Sequence, residues 1–153
     1  MAARKHLIIP SEAKIKDDDF EPLILAIFCQ WCTYGAADLA GTSRMQYPPN
    51  FRVVRVPCTG KVDPLYIFKA FELGVDGVII SGCLPNQCHY VSGNFAAEKR
   101  IKLVKGILDE IGFSSDRLEQ YWISASMAPQ YVEMAREMTE RIRQLGPNPK
   151  RNL

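Results

Sequence analysis

Five cysteines are the residues in this sequence whose type and spacing could do chemistry: Cys29, Cys32, Cys58, Cys83 and Cys88. An odd number leaves one thiol over in any disulfide framework, and such frameworks belong to oxidising compartments. In the cytoplasm, cysteines serve more often as metal ligands or reactive thiols. Residues 1–9 lack the long apolar region and the small-residue cleavage site of a signal peptide, so we expect a cytoplasmic protein whose thiols bind a metal or react.

The spacing of the cysteines leaves several chemistries open. Cys29 and Cys32 form a C-x-x-C pair, which could be a thioredoxin-type redox pair if it opened a helix, but the other cysteines would then be unused. Structural zinc takes four thiolates, usually from two C-x-x-C knuckles, and this sequence has one. An iron-sulfur cluster also takes four thiolates, and its ligands can come from separate loops. Spacing alone does not separate zinc from a cluster, or [2Fe-2S] from [4Fe-4S], and lone cysteines can also be small buried hydrophobes.

Apolar segments of strand length precede three of the cysteines. The sequence predicts four strands, at 23–28, 51–56, 75–80 and 119–124. Cys29 follows the first strand, Cys58 follows the second by two residues and Cys83 follows the third by three residues. Because the carboxyl ends of parallel strands meet at one edge of a sheet, we expect all five sulfurs to converge there.

Segments with the apolar periodicity of helices lie between and after the predicted strands. It predicts helices from about 63 to 74, 94 to 112 and 128 to 145, with Asp63 and Asn94 as caps and Asp38 as another carboxylate at a helix start. Alternating strands and helices predict an α/β fold, a single flavodoxin-like domain. We expect an open, mainly parallel four-stranded sheet in the order 2-1-3-4, with helices on both faces. The domain spans 23–146, between an N-terminal arm, 1–22, and a C-terminal tail, 147–153, that we expect to fray.

Composition excludes several classes of function. The net charge of +2 is too small, and the basic residues too scattered, for nucleic-acid binding. The strongest apolar run, 23–28, is far shorter than the roughly 20 residues of a membrane-spanning helix. We find no nucleophile-base arrangement and no glycine-rich phosphate loop, so the sequence offers no catalytic constellation besides the cysteines.

Four short motifs follow one another in the chain. They are CQWCTYGAAD at 29–38, AGTSRMQYP at 40–48, RVPCTG at 55–60 and GCLPNQCHY at 82–90. In this order they closely resemble the delta, iron-sulfur subunit of the methyl-viologen-reducing hydrogenase, from about residue 25 to residue 145. The resemblance implies a [2Fe-2S] protein of anaerobic metabolism such as methanogenesis. Such a protein relays electrons between a hydrogenase or formate dehydrogenase and the flavin subunit of a heterodisulfide reductase, in a stable hetero-oligomer.

The candidate site residues follow from this resemblance and from the predicted sheet. Four of the five cysteines would hold the cluster, with Cys58 and Cys83 the firmest candidates because each is the first cysteine after its strand. His89 could bond to a sulfur or act as a ligand, Trp31 could shield the cluster or meet a partner, and Arg44 could offset its negative charge. Alternatively, Trp31 only packs within its loop and Arg44 is only a solvated surface residue. The alternative function is a structural zinc-binding or thiol-switch module within a larger complex.

Overall fold

The computed structural model describes residues 20–151, so most of the predicted arm lies outside the described residues. The strands are β1 (Ile24–Cys29), β2 (Phe51–Val56), β3 (Gly77–Gly82) and β4 (Leu118–Trp122). The helices are α1 (Thr33–Thr42), α2 (Pro64–Glu72), α3 (Gly93–Glu110) and α4 (Ala128–Leu145).

The four strands form one parallel sheet in the order β2-β1-β3-β4. In its register, Ile24 lies opposite Phe51 on one side and Gly77 on the other, and Cys29 lies opposite Val56. The chain adds β2 on one side of β1 and then β3 on the other side. This switch in strand order creates a crevice at the carboxyl ends of β1 and β3. The predicted fold class and strand order are confirmed.

Alternating residues of the central strands build a core on each face of the sheet. Ile24, Ala26 and Phe28 pack against α1 and α4, whereas Ile27 and Ile80 pack against α2 and α3. Every residue of β3 is buried, which explains why the central strands are continuous apolar runs rather than alternating ones. This double-sided burial holds the carboxyl ends of the strands in one place.

Several helix starts differ from those that the sequence predicts. The structure contains α1, which was not predicted, and Asp38 lies inside it rather than at its start. Asn94 is wrong as a cap, because α3 begins at Gly93 and Asn94 is buried within its first turn. Asp63 is confirmed as a cap, since its carboxylate accepts the Leu65 N–H at 2.8 Å.

The C-terminal tail is folded as far as it is described, so the expectation that it frays is wrong there. Asn148 is 3% exposed, and its side-chain amide donates to the carbonyls of Phe71 and Val75. The fully buried Asp76 carboxylate accepts the Asn148 N–H at 2.8 Å and pairs with Arg151 at 2.6 Å. A buried carboxylate needs such donors, which is why the tail is ordered.

Membrane insertion finds no support in the described helices. Within residues 20–151, none of them combines the length and the apolar character that crossing a bilayer requires.

Glu119 on the edge strand β4 joins helices from opposite faces of the sheet. Its carboxylate lies 3.0 Å from Lys105 of α3 and 2.8 Å from Arg141 of α4. Burial alone would raise the pKa of Glu119, but the hydrogen bonds from Arg141, the Gln120 N–H and Lys105 outweigh it and lower the pKa below its ordinary value. A carboxyl whose pKa is lower in the folded state stabilises the fold above its ordinary pKa, and this stabilisation is lost as the pH falls through the folded pKa.

We expect Glu119→Gln to lower the free energy of unfolding by about 1–2 kcal/mol at neutral pH, because the half-buried Lys105 loses its carboxylate partner and Arg141 keeps only Glu137. Urea denaturation of both proteins at neutral pH, and again at about pH 3, measures this, and the difference should shrink in acid. Glu72→Gln is the matched control, since the Lys69–Glu72 pair is exposed on both sides and contributes little. An equal loss in both variants would contradict the bridging role.

Candidate metal centre

Three thiols meet in a buried trio where β1, α1 and β3 come together. Cys29 is the last residue of β1, Cys32 directly precedes α1 and Cys83 directly follows β3. Their Sγ atoms all lie within 4.8 Å of one another, and the Cys29 and Cys83 Sγ atoms are 3.8 Å apart. Each side chain is at most 6% exposed.

The remaining two thiols form a second group beside the trio. The Sγ atoms of Cys58, which follows β2, and Cys88, in the loop before α3, are 3.8 Å apart. Cys58 is buried and Cys88 half-buried, and Cys88 also packs against the trio. The carboxyl edge of the sheet therefore brings together all five cysteines as a trio and a pair.

Backbone N–H groups point at the sulfurs of the pair. Gly60 donates to Cys58 Sγ and Tyr90 donates to Cys88 Sγ, each at 3.4 Å. Such donors favour the negatively charged form of sulfur, whether it is a free thiolate or a metal ligand. These donors therefore offset part of the cost that burial places on negative charge at the pair.

The thiol pKa values diverge within this small volume. The hydrogen bond from Cys32 lowers the pKa of Cys29 to about 6, and the same bond, with burial, raises the pKa of Cys32. Burial raises the pKa of Cys58 to about 11 and also raises that of Cys83. Burial opposes ionisation of Cys88 too, but backbone N–H donors, first that of Tyr90, outweigh it and lower its pKa. Metal binding must therefore displace protons from several of these thiols.

The distances between the sulfurs fit tetrahedral metal ligation. With a metal-sulfur distance of about 2.3 Å, two thiolates on one tetrahedral ion lie about 3.8 Å apart. The Cys29–Cys83 and Cys58–Cys88 pairs both have this separation. An all-thiolate donor set suits zinc or an iron-sulfur group. The edge therefore offers two pairs of thiols at the separation expected for shared ligation of a metal ion, with Cys32 beside the Cys29–Cys83 pair.

Asn94 holds the loop that carries Cys83. Its buried side-chain amide donates to the carbonyls of Cys83 and Leu84 at 3.1 and 2.9 Å, and its Oδ1 accepts the Phe95 N–H. Sequence reasoning assigned Asn94 to a helix cap and missed this role. The polar residue at the junction of the cysteine loop and α3 was the available signal.

We expect Asn94→Asp to destabilise the protein by about 1–3 kcal/mol and to speed the loss of bound metal, because two buried carbonyls lose their donors. Aspartate keeps the shape and the acceptor oxygen, but it removes both donated bonds and places a carboxylate oxygen against the two carbonyls. Chemical denaturation and the rate of metal transfer to a chelator measure it. Unchanged stability and release would contradict this positioning role.

The structure brings two of the other candidate residues together on the cysteine loops. The rings of Trp31 and His89 stack at 4.7 Å, and the Trp31 indole N–H donates to the Tyr90 hydroxyl at 3.4 Å. These residues lie on two of the loops that carry the cysteines. Arg44 is not brought there: it follows the C-terminal end of α1, and ten helical residues separate that end from Cys32, a rise of about 15 Å. Sequence reasoning also missed the donors Gly60 and Tyr90, because a backbone N–H has no sequence signature.

Comparison with known families bears on this arrangement. The model of the family described as "Methyl-viologen-reducing hydrogenase, delta subunit" matches residues 24–146, which contain all five cysteines and the whole sheet. The chain belongs to this family. The resemblance that the four sequence motifs indicated is confirmed.

Some relatives match this chain over nearly their whole length. The iron-sulfur subunit of the F420-non-reducing hydrogenase vhu of Methanococcus maripaludis is 52% identical over 129 residues, which cover 84% of this chain and 96% of that protein. The iron-sulfur subunit of the F420-non-reducing hydrogenase of Archaeoglobus profundus is 46% identical over 130 residues, 85% of this chain and 95% of that protein.

A second kind of relative carries the domain inside a much longer chain. A subunit of the ferredoxin/F420H2-dependent CoB-CoM heterodisulfide reductase of Methanosarcina acetivorans is 40% identical over 126 residues. The match covers 82% of this chain but only 16% of that protein. The domain is therefore similar both to iron-sulfur subunits of hydrogenases and to part of a heterodisulfide reductase chain.

Proposed function

We propose that this chain is a [2Fe-2S] electron-transfer subunit. It relays electrons between a hydrogenase or formate dehydrogenase and the flavin subunit of a heterodisulfide reductase-type complex. The proposal depends on one observation. The Cys29–Cys83 and Cys58–Cys88 pairs lie at the carboxyl ends of the strands, each with its two Sγ atoms 3.8 Å apart. The protein works in the cytoplasm as part of a hetero-oligomer and has no substrate of its own.

The names of the relatives support both ends of this relay. Relatives that match nearly end to end are named iron-sulfur subunits of hydrogenases, and a longer relative is named as part of a heterodisulfide reductase. A domain that occurs as a separate chain in one system and within a reductase chain in the other suits a connection between the two. The flavin belongs to the partner, since this sequence has no dinucleotide-binding fingerprint.

Each group of residues has a distinct role in the proposed site. When bound, the cluster supplies a one-electron carrier. Cys29 and Cys83 would hold one metal ion and Cys58 and Cys88 the other, with Cys32 as the spare thiol. The N–H groups of Gly60 and Tyr90 donate to the sulfurs of the second pair and offset their charge. Burial of the trio excludes water from the inner side of the site.

Metal analysis of the native complex tests the proposal. Anaerobically purified protein should be brown, hold about two iron and two sulfide per chain, and give an EPR signal after reduction with dithionite. Mass spectrometry of the co-eluting chains should identify hydrogenase or formate dehydrogenase and reductase subunits. A colourless protein with stoichiometric zinc would instead establish the zinc-module alternative. A lone monomer that reduces a small substrate unaided would also contradict the relay.

A further inference from the structure

Large side chains project into solvent from the two loops that carry Cys32 and Cys88. We call Trp31, His89, Tyr90 and Val91 the aromatic cap. Trp31, Tyr90 and Val91 are 48%, 51% and 83% exposed, although tryptophan, tyrosine and valine usually bury most of their surface. The Trp31–His89 stack and the Trp31–Tyr90 hydrogen bond join the cap across two loops. The cap is thus a pre-arranged surface rather than a set of free side chains.

Val91 is held in a conformation that its side chain opposes. Its φ of 69° lies in the left-handed region, which a β-branched residue rarely adopts. At 83% exposure, the side chain gains little from the chain's own core. The loop therefore presents an apolar group outward at a cost in free energy, an arrangement that is concentrated at functional surfaces.

A cleft next to the cap reaches one of the thiols. It has a volume of about 480 Å³, and Cys58 and Gly93 lie along it together with Tyr90 of the cap. Lys61 and Arg100 also line it, and Arg100 is fixed by hydrogen bonds to the carbonyls of Gly60 and Val62. The cleft thus connects the cap to the thiol pair.

The charges of the cleft favour an acidic occupant. Its one carboxylate, Asp63, already accepts the Leu65 N–H, whereas within residues 20–151 neither Lys61 nor Arg100 has a carboxylate within 4.0 Å. Two cations therefore remain available to a ligand or partner. Complementary charge across an interface speeds association and selects the partner.

We propose that the aromatic cap and the cleft together form the docking surface for an electron-exchanging protein partner. Apolar side chains of the partner cover the cap, and an acidic loop of the partner enters the cleft between Lys61 and Arg100. This inference rests on the proposed relay function and deepens it by locating one of its two contacts. The surface adjoins the thiols directly, since the Tyr90 N–H lies 3.4 Å from Cys88 Sγ and Cys58 lines the cleft.

Crosslinking in the native complex tests which protein covers the cap. A photo-crosslinking amino acid is placed at Tyr90 and, in a separate strain, at Leu73. Leu73 is 71% exposed and follows α2, near the amino-terminal ends of the strands. The Tyr90 position should crosslink to a chain that carries its own redox cofactor, within a segment rich in Asp or Glu. A crosslink from Tyr90 to a cofactor-free chain, or no crosslink to any partner, would overturn the proposal.

Binding measurements with surface variants test the two parts of the docking surface. Trp31→Ala should weaken binding of the crosslinked partner by about 30-fold, as for a buried aromatic anchor. Lys61→Glu should slow association and reduce its dependence on salt, because it reverses a charge at the interface. Lys150→Glu makes the same charge change on an exposed residue beside the far end of the sheet and should leave binding unchanged. Wild-type affinity of both cap and cleft variants would contradict the proposal.

Iron content separates this inference from the proposed function. Each variant is assayed for iron and for the EPR signal before binding is measured. Normal cluster content with unaltered binding in Trp31→Ala and Lys61→Glu would reject this docking surface and leave the relay standing. A wild-type chain without a cluster, whose binding still depends on Trp31 and Lys61, would reject the relay and leave a protein-docking surface.

Discussion

Replacing Gly93 with alanine is expected to remove nearly all bound iron. A Cβ at this position would overlap the Cys58 sulfur and would lie 3.2 Å from the Cys88 sulfur. The backbone of Gly60 also lies against this position, which limits how far the loop can move away. Because the added methyl group occupies the place of a ligand, one of the two proposed metal ions loses its cysteine pair. Iron and sulfide analysis after anaerobic purification measures the loss.

Gly106→Ala is the matched control on the same helix. A Cβ at Gly106 meets no atom within 4 Å. This variant should keep its full iron content and gain about 0.5–1 kcal/mol of stability, because alanine favours the helix over glycine. Retention of iron in Gly93→Ala would mean that the Cys58–Cys88 pair does not hold the metal as proposed.

Serine substitution of the cysteines should divide them into four essential positions and one tolerant position. Cys58→Ser and Cys88→Ser are expected to lose the EPR signal and most of the iron, since each removes one of the two sulfurs of the Cys58–Cys88 pair. Cys29→Ser and Cys83→Ser should do the same, because they form the other pair at 3.8 Å. Cys32→Ser should keep the cluster.

The tolerant position is the decisive part of this series. Cys32 shares the trio with Cys29 and Cys83, all three Sγ atoms lying within 4.8 Å of one another. If the tolerant position were Cys29 or Cys83 instead, the trio would still supply two ligands but with Cys32 among them. Two or more tolerant positions would show that the cluster is not built from this set. Circular dichroism of each variant confirms that it is folded.

The sheet and the edge that carries the thiols could be predicted because burial on both faces leaves a strong pattern. Segments such as 77–82 are buried throughout, and their lengths and breakers define strands. Once the strands are placed, their parallel order brings Cys29, Cys58 and Cys83 to one edge. The sequence could therefore predict where the sulfurs lie without predicting any contact between them.

Features that depend on contacts between distant residues could not be predicted. Helix α1 is built largely from small residues, so its sequence, TYGAADLAGT, lacks the large apolar stripe that reveals a helix. The division of the thiols into a trio and a pair depends on loop conformation. Arg44 lies within one of the four motifs, but the unpredicted helix α1 carries it away from the thiols.

The buried Asp76 has a consequence for how this domain can be connected to other proteins. Its carboxylate accepts the N–H groups of both Leu23, just before β1, and Asn148, after α4, and Arg151 also lies over the ring of Phe20. Both flanks of the domain therefore leave the fold side by side, at the edge opposite the thiols. A covalent linkage through either flank, or through both, leaves the thiol edge open. This geometry suits a module that is a separate chain in hydrogenases and a segment of a longer chain in the Methanosarcina relatives.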